Sequence, residues 1–468
     1  MRSPSSVLPF ANALAFLIVA LVSSATQASA GATIDFDDAR HLLTRTGFAP
    51  TFAEVRGVEG RTRAAAIDAL LAAARSAPTL SPPPWTATSA PPEERPRPGM
   101  TVDERKVLQQ HERSRIVELR GWWLAEMQAT PSPLTERMTL FWHNHFATSE
   151  QKVRDARLMY AQNALFRREA LGSFATLLHA VARDPAMLIW LDGARNRRGA
   201  PNENFAREAM ELFTLGEGHY AQPDVAQAAR AFTGFGVDRA SEQVVFRPRL
   251  HDNGTKTLLG MRGDFDTDGA LDVLLARPET ATFVVDKLWR EFVSPQPDAR
   301  VVERIAGDFR ASHYAIKVAL RELLLSDAFW DAQNRGTLVK SPAELVVGTL
   351  RAVDVEPDDM RPIVTATARM GEVLFAPPNV RGWPGGDAWI NSSTLLARKS
   401  FLARVTRAMP ASAMAASSNG AAPSKGVEWQ HLLLPLPAVG DAVVEAMAER
   451  EPAAVIRAAL LDPVYQLK

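Results

Sequence analysis

From Asp103 to Gly236 the chain repeats one local pattern: apolar residues at helical spacing, closed off by Pro, Gly or Asp-Pro. Ile116 to Met127, Leu134 to Phe146, Arg154 to Arg168, Phe174 to Ala182 and Asn202 to Leu215 all read as helices, and Pro223-Asp224 opens another that Gly234 closes. Each such segment has an apolar stripe that must be covered by another, so the pattern demands a large multi-helix body. Helices are also predicted over Asp37–Thr46 and Arg61–Arg75, from Asp268 through Ser326, and from Pro342 onwards. Two stretches break the texture. Residues 77–98 hold eight prolines and cannot be helical, so they form a long loop. Residues 244–263 carry β-branched residues on both sides of Asn253-Gly254, a hairpin signal. The expected fold is mainly α with a small β-hairpin insertion.

The first thirty residues have the layout of a secretory signal peptide: Arg2, an apolar run from Ala13 to Val22, and Ala28-Ser29-Ala30 as a small-residue cleavage site. The run is short for a transmembrane helix, so the mature chain is expected in the periplasm or outside the cell, with no integral membrane span. The expected organisation is a signal peptide at 1–30, a helical body at 31–407, an Ala/Ser/Gly-rich linker at 408–426 and a loosely tethered helical tail at 427–468. Lys plus Arg and Asp plus Glu number 53 each, which leaves no net field to attract nucleic acid. Cysteine is absent. Disulfides, thiolate nucleophiles and Cys-ligated metals are therefore excluded, and the fold must rest on packing. A metal would have to use His, Asp, Glu or Asn.

Chemistry is expected where ionisable groups fall within apolar stretches, because a buried carboxylate must be paired, hydrogen-bonded or metal-bound. As a regular helix, PNENFAREAMELFTLG at 201–216 sets Asn204, Glu208 and Glu211 on one face, a spacing that can offer two carboxylates and an amide to a metal, a water or a sugar. A salt-bridged surface helix, with Glu203, Arg207 and Glu211 in consecutive i,i+4 pairs, fits the same residues. His143 and His145 diverge by about 200° if helical and then cannot share a ligand. His145 falls on the apolar face, either as a hydrogen-bonded core histidine or as a base or metal ligand, and its ring partners decide between them. His251 and Asp252 are expected at the hairpin tip, where function concentrates, although Asx-turn chemistry also accounts for Asp252 and Asn253. Asp264, Asp266, Asp268 and Asp272 imitate a calcium loop, but Leu275 stands where a bidentate Glu is required, and capping of the following helix is the better reading. In NVRGWPGGDAWINSS, Trp383 and Trp389 with Arg381, Asp387 and Asn391 can hold a sugar by stacking and hydrogen bonds, or can plug a loop onto the body.

FWHNHFATS at 141–149, NENFAREAMELFTLG at 202–216, ARAFTGF at 229–235 and PPNVRGWPGGDAWINSSTLLAR at 377–398 occur in order, and together they resemble the bacterial family called domain of unknown function 1800. The likeness runs from about Asp38 to Arg404. It implies an exported, mostly helical protein without an established activity, often encoded beside a sulfatase-like family. It supplies no catalytic residues, and relatives with His at the position of Phe213 weaken any scheme that needs a ligand there. Two functions follow as expectations. In the first, Glu208 or Glu211 is the acid/base and His145 or His251 a base or ligand in an enzyme acting on a glycan or other envelope polymer, with a divalent metal held by some of His143, His145, Glu208, Glu211, His251 and Asp252. In the second, the chain is a non-catalytic accessory that binds a polymer or an exported sulfatase-like partner.

Overall fold

The computed structural model describes residues 30–88, 91, 95, 97–238, 241–409, 426–449 and 452–468. Residues 1–29 of the expected leader and 410–425 of the expected linker lie outside the described residues. The fold is mainly α with only two small antiparallel sheets among the described residues. Its framework helices are α1 (Phe36–Thr46), α2 (Val102–Ala129), α3 (Pro133–His145), α4 (Ala156–Arg168), α5 (Glu203–Glu208), α6 (Gln222–Ala231), α7 (Pro278–Phe292), α8 (Pro342–Ala352), α9 (Ser392–Ala408) and α10 (Pro452–Leu461). Their starts follow local chemistry. The side chain of Thr101 accepts from Glu104 N while Glu104 reaches back to Thr101 N, a capping box that opens α2. Pro133 and Pro342 occupy first-turn positions of α3 and α8, where a missing N–H costs nothing.

One continuous apolar core runs through the body and includes Trp123, Trp142, Phe146, Phe166, Phe174, Trp289 and Phe375. Each such side chain contributes about 1.5–3 kcal/mol by leaving water. The Pro-rich stretch is a loop, as expected, and it is fastened: the buried carboxylate of Glu126 accepts from Thr79 N at 2.8 Å and Leu80 N at 2.7 Å. Arg157 in turn donates to the carbonyls of Trp85 and Thr88.

Two expectations change. The segment from 426 to 468 is no loose tail. Trp429, Leu432, Leu433, Ile456, Leu460 and Tyr465 belong to the same core, Lys340 N donates to Gln466 O at 2.8 Å, and Arg398 of α9 donates to Gln466 Oε1 at 3.1 Å. The insertion consists of two hairpins, β1 (Phe235–Asp238) with β2 (Gln243–Phe246) and β3 (Lys256–Leu258) with β4 (Met261–Gly263). Asn253-Gly254 lies between them instead of at a hairpin turn. The β3–β4 turn is Leu259-Gly260, with φ of 49° and 83°, as a type I′ turn requires. Leu259 N donates to Asp224 Oδ1 at 2.8 Å, which holds this unusual leucine in place.

Packing is supplemented by a buried charge cluster. Arg137 of α3 lies 2.6 Å from Glu344 of α8 and also bonds Glu291, while Lys468 bonds Glu344. Burial works against the charge on Glu344, yet Arg137 and Lys468 hold its carboxyl down to about 2. Removing one member of such a cluster leaves its partners buried without a counter-charge. Glu344→Gln is therefore expected to lower the unfolding free energy by about 3–5 kcal/mol in urea titrations. Because the folded-state value is depressed, the wild-type contribution of Glu344 is complete above the unfolded carboxylate value of about 4.3 and is lost as pH falls towards about 2. A loss under about 1 kcal/mol on substitution, the size of an exposed pair, would contradict the role given to this cluster.

Candidate functional site

The Asn204–Glu211 segment is not one regular helix. Asn202 caps α5 by accepting from Asn204 N at 2.9 Å, and α5 ends at Glu208, after which Ala209–Thr214 is a π-helix. Leu215 N donates to Met210 O at 2.8 Å and Thr214 Oγ1 to Ala209 O at 2.6 Å, both five residues back. Such stretches place an extra residue in the turn and recur at functional sites. Asn204 is exposed here, while Glu208 and Glu211 are half-buried.

The carboxylate of Glu211 accepts from Tyr220 Oη at 2.8 Å and from the Arg381 guanidinium at 2.7 Å, and Arg381 also reaches Glu217 at 3.0 Å. Arg207 pairs with Glu203, as its spacing predicts, and bonds Gln222 instead of Glu211. The Glu208 carboxyl has no hydrogen bond among the described residues. Burial, and then the charge of Glu211, raise its pKa; Arg381 and Arg207 pull it back. Burial, together with donation to Glu211, pushes the Tyr220 phenol up to about 12, so it stays protonated as a donor. The arrangement therefore pairs a carboxyl with raised proton affinity and a carboxylate held by two donors.

Three consecutive residues at the end of α3 organise this face. His143 Nε2 accepts from Phe375 N at 3.1 Å, Asn144 Oδ1 accepts from Trp383 N at 2.7 Å, and His145 Nε2 lies 3.2 Å from Phe213 O. Burial pushes His143 down to about 3, so its ring is a neutral acceptor. His145 is also buried. Since Nε2 must donate to the Phe213 carbonyl, Nδ1 accepts from Lys287 Nζ at 3.2 Å, and Lys287 donates again to Leu212 O at 3.1 Å. Burial and the Lys287 charge hold the His145 pKa well below its ordinary value, against the Phe213 bond, and burial brings Lys287 down to about 8. Both nitrogens of His145 are thus engaged, and with Lys287 it holds the π-helix carbonyls of Phe213 and Leu212.

Arg381 is positioned by the same clasp. Gly382 has φ +81°, and a Cβ there would stand 2.1 Å from Asn144 Oδ1, so only glycine lets the loop dock. The rings of Trp383 and Trp389 are buried as a plug and offer no face to a sugar. Asp387 is exposed in a short 3-10 turn, and Asn391 caps α9 by accepting from Ser393 N and Thr394 N. His251 is buried elsewhere, its Nδ1 donating to Thr233 O at 2.9 Å, and the Arg230 guanidinium donates to both carboxylate oxygens of Asp252 and lowers its carboxyl to about 2. No hydrogen bond, ion pair or ring contact among the described residues joins His251 or Asp252 to Glu208, Glu211 or His145. Asp266 caps the next helix through Gly269 N, and Asp268 pairs with His179 and Arg183. Among the described residues no group of three or more His, Asp or Glu is placed to hold a metal, so Glu208 and Glu211 supply at most two ligands.

Tyr220, Glu217 and Lys287 escaped the sequence reading. Lys287 looks like an i,i+4 partner of Glu291, but Glu291 is taken by Arg137. Tyr220, one of four tyrosines, sits nine residues past Glu211 beyond a glycine turn, a spacing that announces no contact.

The family described as "Protein of unknown function (DUF1800)" matches residues 41–467, nearly the whole chain, and the chain belongs to that family. No curated protein and no solved structure matches it.

The Glu208 environment can be read directly. In carbon-13 NMR titrations of the glutamate carboxyls, Glu208 is expected to titrate above an ordinary glutamate. Glu211→Gln should lower that midpoint and Arg381→Ala should raise it, because the first removes a like charge and the second an opposite one. A midpoint unmoved by either variant would mean that the three side chains do not share a field.

Proposed function

We propose that this member of the DUF1800 family is an exported protein that acts by acid–base chemistry on an envelope or extracellular polymer, a glycan being the foremost class. Glu208 is the proton-transferring group, Glu211 the fixed carboxylate beside it, and Arg381 and Tyr220 the groups that orient it and meet the substrate. The observation that carries this reading is the half-buried Glu208 carboxyl, without a hydrogen-bond donor among the described residues and with its proton affinity raised by burial and by Glu211. A carboxyl whose proton affinity is raised in this way is suited to serve as a general acid or base.

A polymer suits the site better than a small metabolite because the face is open. Arg381 has 62% of its side chain exposed and Glu217 72%. Two cavities elsewhere in the fold leave room for little more than a water, and none of these residues lines either. Small-molecule sites are enclosed clefts that cover most of their ligand. Export rests on the pattern of Arg2, Ala13–Val22 and Ala28-Ser29-Ala30. His145 enters as a positioning residue through the Phe213 carbonyl, and no step requires a metal.

One observation favours the accessory role as a second reading. Leu436, Val439, Val444 and Leu461 are exposed on the C-terminal segment, apolar surface that an exported sulfatase-like partner can cover. Recovery of such a partner by wild type, and its loss with Val439→Asp and Val444→Asp, would move the assignment there.

The test is an assay of purified protein for new chain ends released from peptidoglycan and from extracellular polysaccharides. Glu208→Gln is expected to lower release by a factor of about 10² or more, the usual worth of a general acid or base, with the melting temperature unchanged. No release from any polymer, or release equal in Glu208→Gln, would overturn the catalytic reading.

A further inference from the structure

Five arginines that the Glu208 reading does not use come from two short segments, ARNRRG at 194–199 and FRPR at 246–249. Backbone bonds join the segments: Gly234 N donates to Asn196 O at 3.1 Å, Arg247 N to Gly234 O at 2.7 Å, and Arg198 N to Leu250 O at 2.7 Å. Arg195, Arg197, Arg198, Arg247 and Arg249 therefore leave the backbone within about 20 Å of one another. All five are exposed.

None of the five has an ion pair or a side-chain hydrogen bond among the described residues. The acids close to them along the chain are engaged elsewhere: Asp192 with Lys152 at 2.8 Å, Glu203 with Arg207 at 3.0 Å and Asp252 with Arg230 at 2.9 Å. Asp238 and Glu242 stand at the turn end of the β1–β2 hairpin, and Arg247 follows its other end. A chain with as many acidic as basic residues thus keeps a local positive field at this surface. A Cβ on Gly236 would stand 3.2 Å from the Arg247 guanidinium carbon, so that side chain lies across β1. Beside it, the Phe246 ring packs on Phe235 with centroids 5.1 Å apart, and Phe246 remains 45% exposed.

We propose that this surface binds a polysaccharide that carries carboxylates. All five cations are arginines, whose planar forks pair with a carboxylate through two parallel N–H bonds, a match that lysine cannot make. The Phe246 ring, next to Arg247 in sequence, offers an apolar plane on which a sugar ring can stack. A single-stranded nucleic acid would call for a succession of aromatic platforms, and a bilayer for a broad apolar face; Phe246 and its exposed neighbour Val245 are too little of either. The residues are distinct from those of the Glu208 reading, and what they predict is binding, so failure of either leaves the other standing.

The test is titration calorimetry of the full chain with polygalacturonate at about 0.15 M salt, where long-range attraction between exposed charges is screened. Wild type is expected to bind it and to ignore the same polymer with its carboxylates methyl-esterified. Arg198→Lys combined with Arg249→Lys keeps the charge, yet is expected to weaken binding about tenfold or more at an unchanged melting temperature, because lysine lacks the two-pronged geometry. No binding by wild type, equal binding of the esterified polymer, or undiminished affinity in the lysine variant would overturn the proposal. Tighter binding of oligothymidylate or of phosphatidylglycerol vesicles would overturn it as well.

Discussion

The clasp at the end of α3 is the constraint on which the candidate site depends. His143, Asn144 and His145 each tie a different part of the backbone, at Phe375, at Trp383 and at Phe213, to the end of one helix. Each bond adds only about 1 kcal/mol net, but leaving a buried group unpaired costs about 1–3 kcal/mol, so the three contacts fix positions more than they add stability. The consequence reaches the surface. Asn144 and Gly382 dock the loop that carries Arg381, while His145 and Lys287 hold the carbonyls of the π-helix that carries Glu211. Arg381 and Glu211 meet because both supports are tied to one helix end.

The same logic accounts for a cysteine-free body. Segments far apart in sequence are joined by buried side chains that reach backbone carbonyls and amides: Arg45 to Phe292 O, Val293 O and Asn334 O, Glu126 to Thr79 N and Leu80 N, Lys340 to Tyr465 O. Such ties cross-link loops that a smaller protein would staple with disulfides. They also explain why so many charged residues are buried without forming an active site. The clusters around Glu344 and Glu136 are internal scaffolding, with Arg137 and Arg167 as their counter-charges.

The helical framework was legible because amphipathic period and Pro/Gly punctuation are local properties, and most helices lie close to where the periodicity puts them. What was not legible had been decided by contacts distant in sequence. Periodicity alone draws Asn204, Glu208 and Glu211 as one helical face; the π register after Glu208 is supported by Lys287 and His145, which no local rule associates with it. Asn253-Gly254 carries the stronger turn signal, yet the β3–β4 turn forms at Leu259-Gly260, where Asp224 from α6 supplies the missing bond. The C-terminal segment reads as a loose tail because its Ala-rich helices follow a Gly/Ser-rich stretch, whereas its attachment runs through Lys340, more than a hundred residues earlier. At the site, Glu208 and Glu211 stood out as carboxylates in an apolar stretch; Tyr220 and Lys287 did not, because each resembles an ordinary surface residue until the fold brings it home.

The most direct measurement of this account is the tautomer of His145, read from long-range proton–nitrogen correlation spectra as pH is varied. An imidazole that holds the Phe213 carbonyl and accepts from Lys287 must be the neutral Nε2–H form and must stay so between about pH 5 and 8, where an unperturbed histidine titrates. A ring found as the Nδ1–H tautomer, or protonating with a midpoint near the ordinary value of about 6.5, would mean that the clasp does not hold the π-helix. The positioning of Glu211 against Arg381 would then lose its cause.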